Sequence, residues 1–207
     1  MRSPSPIRAG ASSIPRQIMP RLYIIAGCNG SGKTTASYKE LPELLDCTEF
    51  VNSDEFAKAL SPSNPDAASI MAGRYMLMKI QRLLSRRVDF CIESTLATRS
   101  LLQMIRSSKE MGYTVSILYL WVSSPELARQ RVRARVAAGG HNVKDETIQR
   151  RYEAGLKNFF GIYLPECDHW TLADNSNPPF RLIAEGGRKG ITVHDPQLYE
   201  TISKDYT

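Results

Sequence analysis

The feature that most constrains this chain is an eight-residue run near its start, Gly27-Cys28-Asn29-Gly30-Ser31-Gly32-Lys33-Thr34, which fits the pattern G-x-x-x-x-G-K-[ST] without a gap. The apolar run 22–26 precedes it and is typical of a buried strand, and the residues from Thr34 onward can open a helix. The pattern needs this order of strand, glycine-rich turn and helix. The run therefore predicts a phosphate-binding loop in an α/β fold.

Each residue type in this loop has a chemical reason. Glycines let the backbone turn its N–H groups inward around an anion, and the following helix adds the partial positive charge of its N-terminus. Lys33 puts an ammonium on the outer phosphates, and the Thr34 hydroxyl suits Mg²⁺, which takes few protein ligands. We predict Thr34 as the metal ligand and the following nucleotide-binding set: Gly27, Cys28, Asn29, Gly30, Ser31, Gly32, Lys33, Thr34 and Thr35.

Composition argues against several other classes of protein. The 207 residues suffice for one α/β domain, and no apolar run approaches the roughly 20 residues of a membrane span. The net charge is +6, but no basic cluster is interleaved with aromatic residues, so nucleic acid is not favoured as a partner. The four cysteines have no C-x-x-C spacing, which disfavours zinc and a disulfide framework. We expect a reducing, cytoplasmic compartment and no membrane contact.

The two ends of the chain differ from its middle. The first 21 residues carry four arginines and no acid, and the segment 1–20 lacks the apolar stretch of a secretory signal. We predict a disordered extension over 1–20, with a transit-like segment and a start site at Met19 as the alternatives. The phosphate-binding domain is predicted over 21–185, followed by a C-terminal tail over 186–207.

Strands and helices alternate along the domain, which indicates a mainly parallel sheet with helices on both faces. A helix is predicted over 66–87, with Ile70, Met71, Tyr75, Met78, Ile80 and Leu83 spaced for packing. The loop Asp174-Asn175-Ser176 after a late strand is either a contact for the base or ribose or a plain turn. The fold class is therefore a P-loop NTPase three-layer sandwich with a helical lid.

Two carboxylates follow predicted strands on the edge that carries the phosphate-binding loop. Ligands of such sheets bind at the carboxyl ends of the strands. Asp54 could accept the proton of a substrate hydroxyl as it attacks a γ-phosphate, or it could cap the helix that starts at Glu55. Glu93 could organise Mg²⁺ through water, hold a substrate hydroxyl, or cap the loop before the next helix.

A predicted helix over 125–138 carries Arg129, Arg131, Arg133 and Arg135. Such charges usually form a solvated face. Alternatively, Arg135 and Arg151 reach the phosphates when a helix–loop–helix lid closes over them, because phosphoryl transfer needs cations near its developing charge. The glycines of the break at 139–140 would give this lid its freedom to move. We predict the lid at about 128–158.

Four further segments, taken with the phosphate-binding loop, resemble the zeta-toxin-like P-loop kinases, and the resemblance covers about 21–176. They are Val51-Asn52-Ser53-Asp54-Glu55, Glu93-Ser94-Thr95-Leu96, Arg135-Val136-Ala137-Ala138-Gly139-Gly140-His141, and Ile148-Gln149-Arg150-Arg151-Tyr152. The resemblance implies that Lys33 and Thr34 hold ATP and Mg²⁺ and that Asp54 is the catalytic base. It implies that Glu93 and Thr95 position the acceptor and that Arg135 contacts phosphate. His141 stands in the region where the family's toxins carry a second lid arginine.

These features predict an ATP-dependent kinase that moves the γ-phosphate to a hydroxyl of a small molecule. Its catalytic residues would be Asp54, Lys33 and Arg135, and its substrate-binding residues Asp54, Glu93, Thr95, His141 and Arg151. The resemblance implies a UDP-sugar such as UDP-N-acetylglucosamine as the acceptor and leaves an antitoxin protein as a candidate partner. The alternative is a P-loop ATPase or a nucleotide-binding module with no small-molecule acceptor. No N-K-x-D motif that would indicate guanine is present.

Overall fold

A computed structural model of the chain describes residues 19–37, 47–61, 65–204 and 206, so most of the predicted extension 1–20 lies outside the described residues. In this part of the chain seven strands form one sheet in the order β2-β3-β1-β4-β5-β6-β7. The first five strands in that order are parallel, and β6 and β7 extend the sheet antiparallel. The strands are β1 (Arg21–Ala26), β2 (Phe50–Val51), β3 (Phe90–Ser94), β4 (Thr114–Trp121), β5 (His169–Asp174), β6 (Arg181–Gly187) and β7 (Gly190–Val193).

Helices join the parallel strands, as parallel neighbours require. They are α1 (Lys33–Thr35), α2 (Ser53–Leu60), α3 (Ser69–Arg86), α4 (Leu102–Glu110), α5 (Pro125–Ala137), α6 (Asp145–Asn158) and α7 (Pro196–Ser203). A 3-10 turn (Pro65–Ala68) precedes α3, and a π-helical turn (Phe159–Tyr163) continues α6.

The core occupies both faces of the sheet, because side chains alternate along each strand. In β1, Leu22 and Ile24 belong to a large apolar cluster that includes residues of α3, α4 and α6. Tyr23 and Ile25 point the other way, into a smaller cluster with Ala36 of the segment that follows α1. This arrangement is the predicted three-layer α/β fold, and the prediction is confirmed.

Helix α3 corrects one detail of the prediction. Ile80 and Leu83 are buried as expected, but Ile70, Met71, Tyr75 and Met78 are exposed. The six residues do not share one face of a helix with 3.6 residues per turn, and the sheet covers only the side that carries Ala72, Ile80 and Leu83. The spacing alone did not show which of the two sides packs.

The C-terminal segment 186–207, predicted as a tail, carries β7 and α7. Asp195 caps α7 by accepting a hydrogen bond from the Leu198 N–H at 3.0 Å, and Pro196 occupies the first turn. Ile202 is buried, and the Tyr206 ring stacks on Phe160 with 5.9 Å between centroids. The segment therefore packs against the rest of the domain.

Among the described residues, no helix combines the length and the apolar character that crossing a bilayer requires.

Candidate active site

The phosphate-binding loop and the ends of the neighbouring strands meet at one edge of the sheet. Ala26, the last residue of β1, pairs with Ser94 of β3 and with Tyr119 of β4. Val51 of β2 pairs with Ile92. A cleft of about 820 Å³ opens at this edge. Its lining includes Lys33, Thr34, Glu93, Thr95, Arg135, His141 and Arg151. The fold thus brings these predicted site residues to one place.

The loop between β1 and α1 is held in shape by close neighbours on two sides. Gly30 has φ 83°, and a Cβ added to it would overlap the carbonyl oxygen of Ala128 in α5. Gly32 has φ 92°, and its added Cβ would overlap the Asn175 side chain. Gly30 combines a left-handed backbone with no space for a side chain, because the overlapping atom belongs to the main chain. At Gly32 the left-handed φ strains any other residue, and the Asn175 side chain would also have to move.

The polar groups of this loop fit a phosphate chain. The Lys33 ammonium donates to the carbonyl oxygens of Gly27 and Cys28, at 2.8 Å each. Among the described residues, the buried Ser31 hydroxyl has no hydrogen-bond partner. An anion in the loop would supply acceptors for both side chains. The residues present therefore fit the phosphates of ATP, and Thr34 offers a hydroxyl to a metal ion.

Glu93 is joined to the metal-binding position that the sequence predicts. The Thr34 hydroxyl donates to the Glu93 carboxylate at 3.0 Å, across 59 residues of sequence. Burial raises the pKa of Glu93, while the charge of Lys33 and the Thr34 hydrogen bond lower it. Of the alternatives for Glu93, this contact favours a role in organising Mg²⁺, because the carboxylate lies beside the Thr34 hydroxyl, which is the predicted metal ligand.

Asp54 lies in the first turn of α2, near the same strand ends. The helix begins at Ser53, two residues earlier than the capping alternative requires, so Asp54 does not occupy the capping position. An acid in the first turn is stabilised by the helix dipole. The preceding residue, Asn52, is buried and lines the cleft, and its side chain hydrogen-bonds Glu93. Sequence reasoning had assigned Asn52 no role.

The four arginines of α5 make different contacts. Arg129 donates to Gln149 at 2.5 Å and Arg133 to Asp145 at 2.5 Å, so both tie α5 to α6, and the second bond is exposed. Arg131 and Arg135 line the cleft, as their spacing of four residues predicts. The Arg135 guanidinium donates to the His141 carbonyl oxygen at 2.8 Å, within the turn that follows α5.

Arg131 fixes the loop that follows β5. Its guanidinium donates to the carbonyl oxygens of Asn175 and Ser176, at 2.8 Å each. The Asn175 amide in turn donates to the Ser31 carbonyl oxygen at 2.7 Å. The 174–176 loop is therefore bonded both to the phosphate-binding loop and to α5. Neither bond has a signal in the sequence beyond the position of this loop at a strand end.

The predicted lid is partly built into the domain. Ala128, Val132 and Ile148 are buried in one cluster with Cys28 and Val122. Arg151 of α6 donates to the Asn29 side chain of the phosphate-binding loop at 2.8 Å. The turn between the helices, residues 137–144, is largely exposed, and we call it the lid tip. The helices that carry the tip pack directly on the phosphate-binding loop.

Cys28 lies beneath the loop rather than in the cleft. It is 3% exposed, and burial raises the pKa of its thiol. A buried, protonated thiol is a poor nucleophile, and Cys28 packs with Val122 and Ala128. The Cys28 side chain therefore fills space beneath the loop.

Comparison with known proteins agrees with this geometry. The family model for zeta toxin matches residues 7–177. An uncharacterized protein of Haemophilus influenzae is 34% identical over 128 residues, which cover 61% of this chain and 88% of that protein.

Two solved structures share the fold at low sequence identity. A crystal structure of AvrRxo1-ORF1:AvrRxo1-ORF2 with sulphate ions is similar with a TM-score of 0.71 and 17% identity, over 90% of this chain and 64% of the matched one. This chain thus spans a little under two thirds of that relative's length. A structure of the PezAT toxin-antitoxin system of Streptococcus pneumoniae is similar with a TM-score of 0.63 and 16% identity, over 88% and 78%.

Proposed function

Because the chain belongs to the zeta toxin family, we propose that it is an ATP-dependent phosphotransferase that moves the γ-phosphate of ATP to a hydroxyl of a small molecule. One observation carries this proposal. A single cleft is lined by the phosphate-binding loop, by Glu93 and Thr95, and by arginines of α5 and α6. This arrangement can hold a donor phosphate and an acceptor hydroxyl side by side.

In this mechanism the chain mainly positions the two substrates and stabilises the charge of the phosphates. Lys33 exchanges the carbonyl oxygens of Gly27 and Cys28 for phosphate oxygens, and the Ser31 hydroxyl can gain a partner there. Thr34 and Glu93 would hold Mg²⁺, which neutralises phosphate charge when it is bound. Asp54 takes the proton of the acceptor hydroxyl as the hydroxyl oxygen bonds to the γ-phosphorus and the bond from that phosphorus to ADP breaks.

The lid supplies the remaining positive charge. The buried contacts of Ala128, Val132 and Ile148 hold α5 and α6 in place, so we propose that closure involves the lid tip 137–144 rather than the whole segment 128–158. Closure would turn Arg135 from the His141 carbonyl oxygen toward the transferred phosphoryl group. Positive charge at that group stabilises the transition state more than it stabilises the bound ATP.

We propose a UDP-sugar, with UDP-N-acetylglucosamine first, as the acceptor to test. The acceptor side of the cleft offers the hydroxyls of Thr95 and Ser100 and the ammonium of Lys58. Hydroxyls suit a sugar, and a cation suits a diphosphate. We also propose an antitoxin as a partner, supported by family membership and by the fold shared with a protein of the PezAT toxin-antitoxin system.

The proposal is tested by measuring ADP release with and without candidate acceptors, and by mass spectrometry of each acceptor for the gain of one phosphoryl group. We expect release to depend on an acceptor. Lys33→Ala should abolish turnover without unfolding the protein, because Lys33 contacts the loop rather than the core. Release that is equal with and without every acceptor would identify an ATPase instead.

A matched pair of variants tests the base. Asp54→Asn keeps the size of the side chain and removes its basicity, so we expect ATP affinity to persist and transfer to fall by about 10²-fold or more. Glu110→Gln makes the same chemical change at an exposed carboxylate of α4 that does not line the cleft, and it should leave transfer nearly unchanged. Equal losses in the two variants would contradict a specific role for Asp54.

A further inference from the structure

The loop that follows β3 forms much of the acceptor wall and has an unusual backbone. Its residues Thr95, Ser100 and Leu101 line the cleft. Leu96 has φ 52°, in the left-handed region that non-glycine residues rarely adopt, and its side chain is buried. Such a conformation is strained and persists only where neighbouring groups hold it. We call residues 95–98 the acceptor loop.

Two side chains bond the main chain of this loop. The Asn158 amide donates to the Leu96 carbonyl oxygen at 2.7 Å, and the Tyr163 hydroxyl donates to the Thr98 carbonyl oxygen at 2.6 Å. Tyr163 is also fully buried. These bonds lie on both sides of Ala97 and therefore fix the path of the loop.

The π-helical turn after α6 brings the two side chains together. The Leu164 N–H donates to the Phe159 carbonyl oxygen at 3.0 Å, which is an i→i+5 bond. In an α-helix, residues five apart are turned by about 140° from each other. The wider turn places them nearly above one another, so Asn158 and Tyr163 reach one loop. Such turns occur frequently at functional sites.

Gly155 allows α6 to approach the loop. A Cβ at this position would lie 2.6 Å from the Thr95 carbonyl oxygen and 2.9 Å from the Tyr119 hydroxyl. One turn earlier, the same helix carries Arg151, which donates to Asn29 of the phosphate-binding loop. Helix α6 therefore touches the donor side of the cleft with one part and the acceptor side with another.

We propose that Asn158 and Tyr163 are positioning residues for the phosphate acceptor. They hold the acceptor loop so that the Thr95 hydroxyl faces the bound acceptor at a fixed distance from the phosphate-binding loop. The inference rests on the proposed function for the identity of the reaction and goes beyond it in naming residues outside the cleft. Neither residue lines the cleft, so each acts through the loop main chain.

The test compares two tyrosines that make the same kind of bond. Tyr163→Phe removes the hydroxyl that bonds Thr98. Tyr113→Phe removes a hydroxyl that bonds the carbonyl oxygens of Leu83 and Val88, at 3.2 and 3.0 Å, away from the cleft. Asn158→Asp is a second probe, because it keeps the shape and loses the donor. Hydrogen exchange of residues 95–99, the KM for ATP and the KM for UDP-N-acetylglucosamine are measured for each full-length variant.

We expect Tyr163→Phe and Asn158→Asp to speed exchange in the acceptor loop and to raise the KM for UDP-N-acetylglucosamine by about tenfold or more, with the KM for ATP unchanged. Tyr113→Phe should lower stability about as much as Tyr163→Phe does. It should change neither the exchange of the acceptor loop nor the KM for UDP-N-acetylglucosamine. Equal effects from Tyr113→Phe, or a parallel rise in the KM for ATP, would show a general loss of structure and overturn the proposal.

The exchange measurement separates this proposal from the proposed function. If the wild-type protein phosphorylates no acceptor, the proposed function fails, and exchange alone decides whether the two residues hold the loop. Faster exchange confined to 95–99 supports that role. Exchange that matches the wild type in both variants overturns it, whatever the acceptor.

Discussion

Glu93 is a residue whose ionised form lowers the stability of the fold but suits the proposed chemistry of the site. Burial raises its pKa, so the folded protein bears a cost for keeping this carboxylate ionised. The Thr34 hydroxyl and the Lys33 charge offset part of that cost. A metal ion would offset more, which is a physical reason to keep an acid at the end of an apolar strand.

Glu93→Gln should therefore stabilise the fold and disable the enzyme. The sign follows from the raised pKa. Below the ordinary pKa of a glutamate the side chain is protonated in both the folded and the unfolded protein and costs nothing. Stability falls as pH rises from there through the raised pKa, because the unfolded chain releases its proton first. We expect a higher Tm for the variant at pH 8, a difference that disappears below the ordinary pKa of a glutamate, and phosphoryl transfer reduced by about 10²-fold or more.

Thermal melts of Glu93→Gln and Glu110→Gln against pH check this expectation. Glu110 is an exposed carboxylate at the end of α4, so its replacement should leave the Tm unchanged across the same range. A Glu93→Gln variant that is less stable at pH 8 would mean that the ionised carboxylate is a net stabilising group in the folded protein.

The residues of the site differ in how far the sequence could predict them. The spacing of glycines and Lys33 has a local physical cause and is visible in eight consecutive residues. The bonds from Arg131 to the 174–176 loop and from Arg151 to Asn29 join positions 44 or more residues apart. They depend on how α5 and α6 cross the phosphate-binding loop, which no local pattern encodes.

At the scale of elements, α5 carries two functional classes of arginine on one helix. Arg133 bonds Asp145 at the surface, whereas Arg135 lines the cleft and bonds the His141 carbonyl oxygen, which it can exchange for phosphate. We expect Arg135→Ala to lower turnover by about 10²-fold with a smaller effect on ATP affinity. Arg133→Ala is the matched control and should stay near the wild-type rate. Steady-state kinetics with ATP binding measured in parallel distinguish the two.

Motion should be confined to the lid tip. The buried side chains of Ala128, Val132 and Ile148 hold the two helices on the domain, while the tip 137–144 is mostly exposed. We expect hydrogen exchange in the tip to slow when ATP and Mg²⁺ are added and exchange at residues 128–132 to stay the same. Protection that spreads over all of 128–158 would support the larger lid that the sequence suggested.

Helix α3 shows why the faces of elements are harder to predict than their existence. Its apolar residues occupy two sides, and the buried side is set by the sheet that α3 covers rather than by its own pattern. Ile80 and Leu83 pack, while Ile70 and Met78 face solvent. Strands β1 and β3, by contrast, carry buried side chains on both faces, so their continuous apolar runs identified them with little ambiguity.

At the scale of the whole molecule, the C-terminal segment had local signals that the sequence interpretation did not use. Gly187 and Gly190 pair across the two-residue turn between β6 and β7, and such glycine-flanked turns are typical of hairpins. The dipeptide Asp195-Pro196 is a helix start with a capping acid and a proline in the first turn. Both signals are local, so this part of the fold was predictable from the sequence.

Deletion of the N-terminal segment and deletion of the C-terminal segment should have different effects on stability. Removal of 1–18 should leave the Tm and turnover unchanged, because that segment has no periodic apolar pattern with which to offset its ordering entropy. Removal of 196–207 takes away buried Ile202 and the aromatic contacts of Phe160 with Tyr199 and Tyr206. At about 1.5–3 kcal/mol for the isoleucine and 0.5–1.5 for each ring pair, the loss is about 3 kcal/mol or more.

For a domain of this size, that loss corresponds to a Tm lower by on the order of 10 °C. The catalytic cleft lies at the carboxyl ends of the parallel strands and is not lined by α7, so the shortened protein should keep its KM for ATP at temperatures where it is folded. Ile202→Ala in the full chain should give a smaller drop in the same direction. A deletion of 196–207 that melts like the full chain would show that α7 adds nothing to stability and that 186–207 behaves as the tail that the sequence predicted.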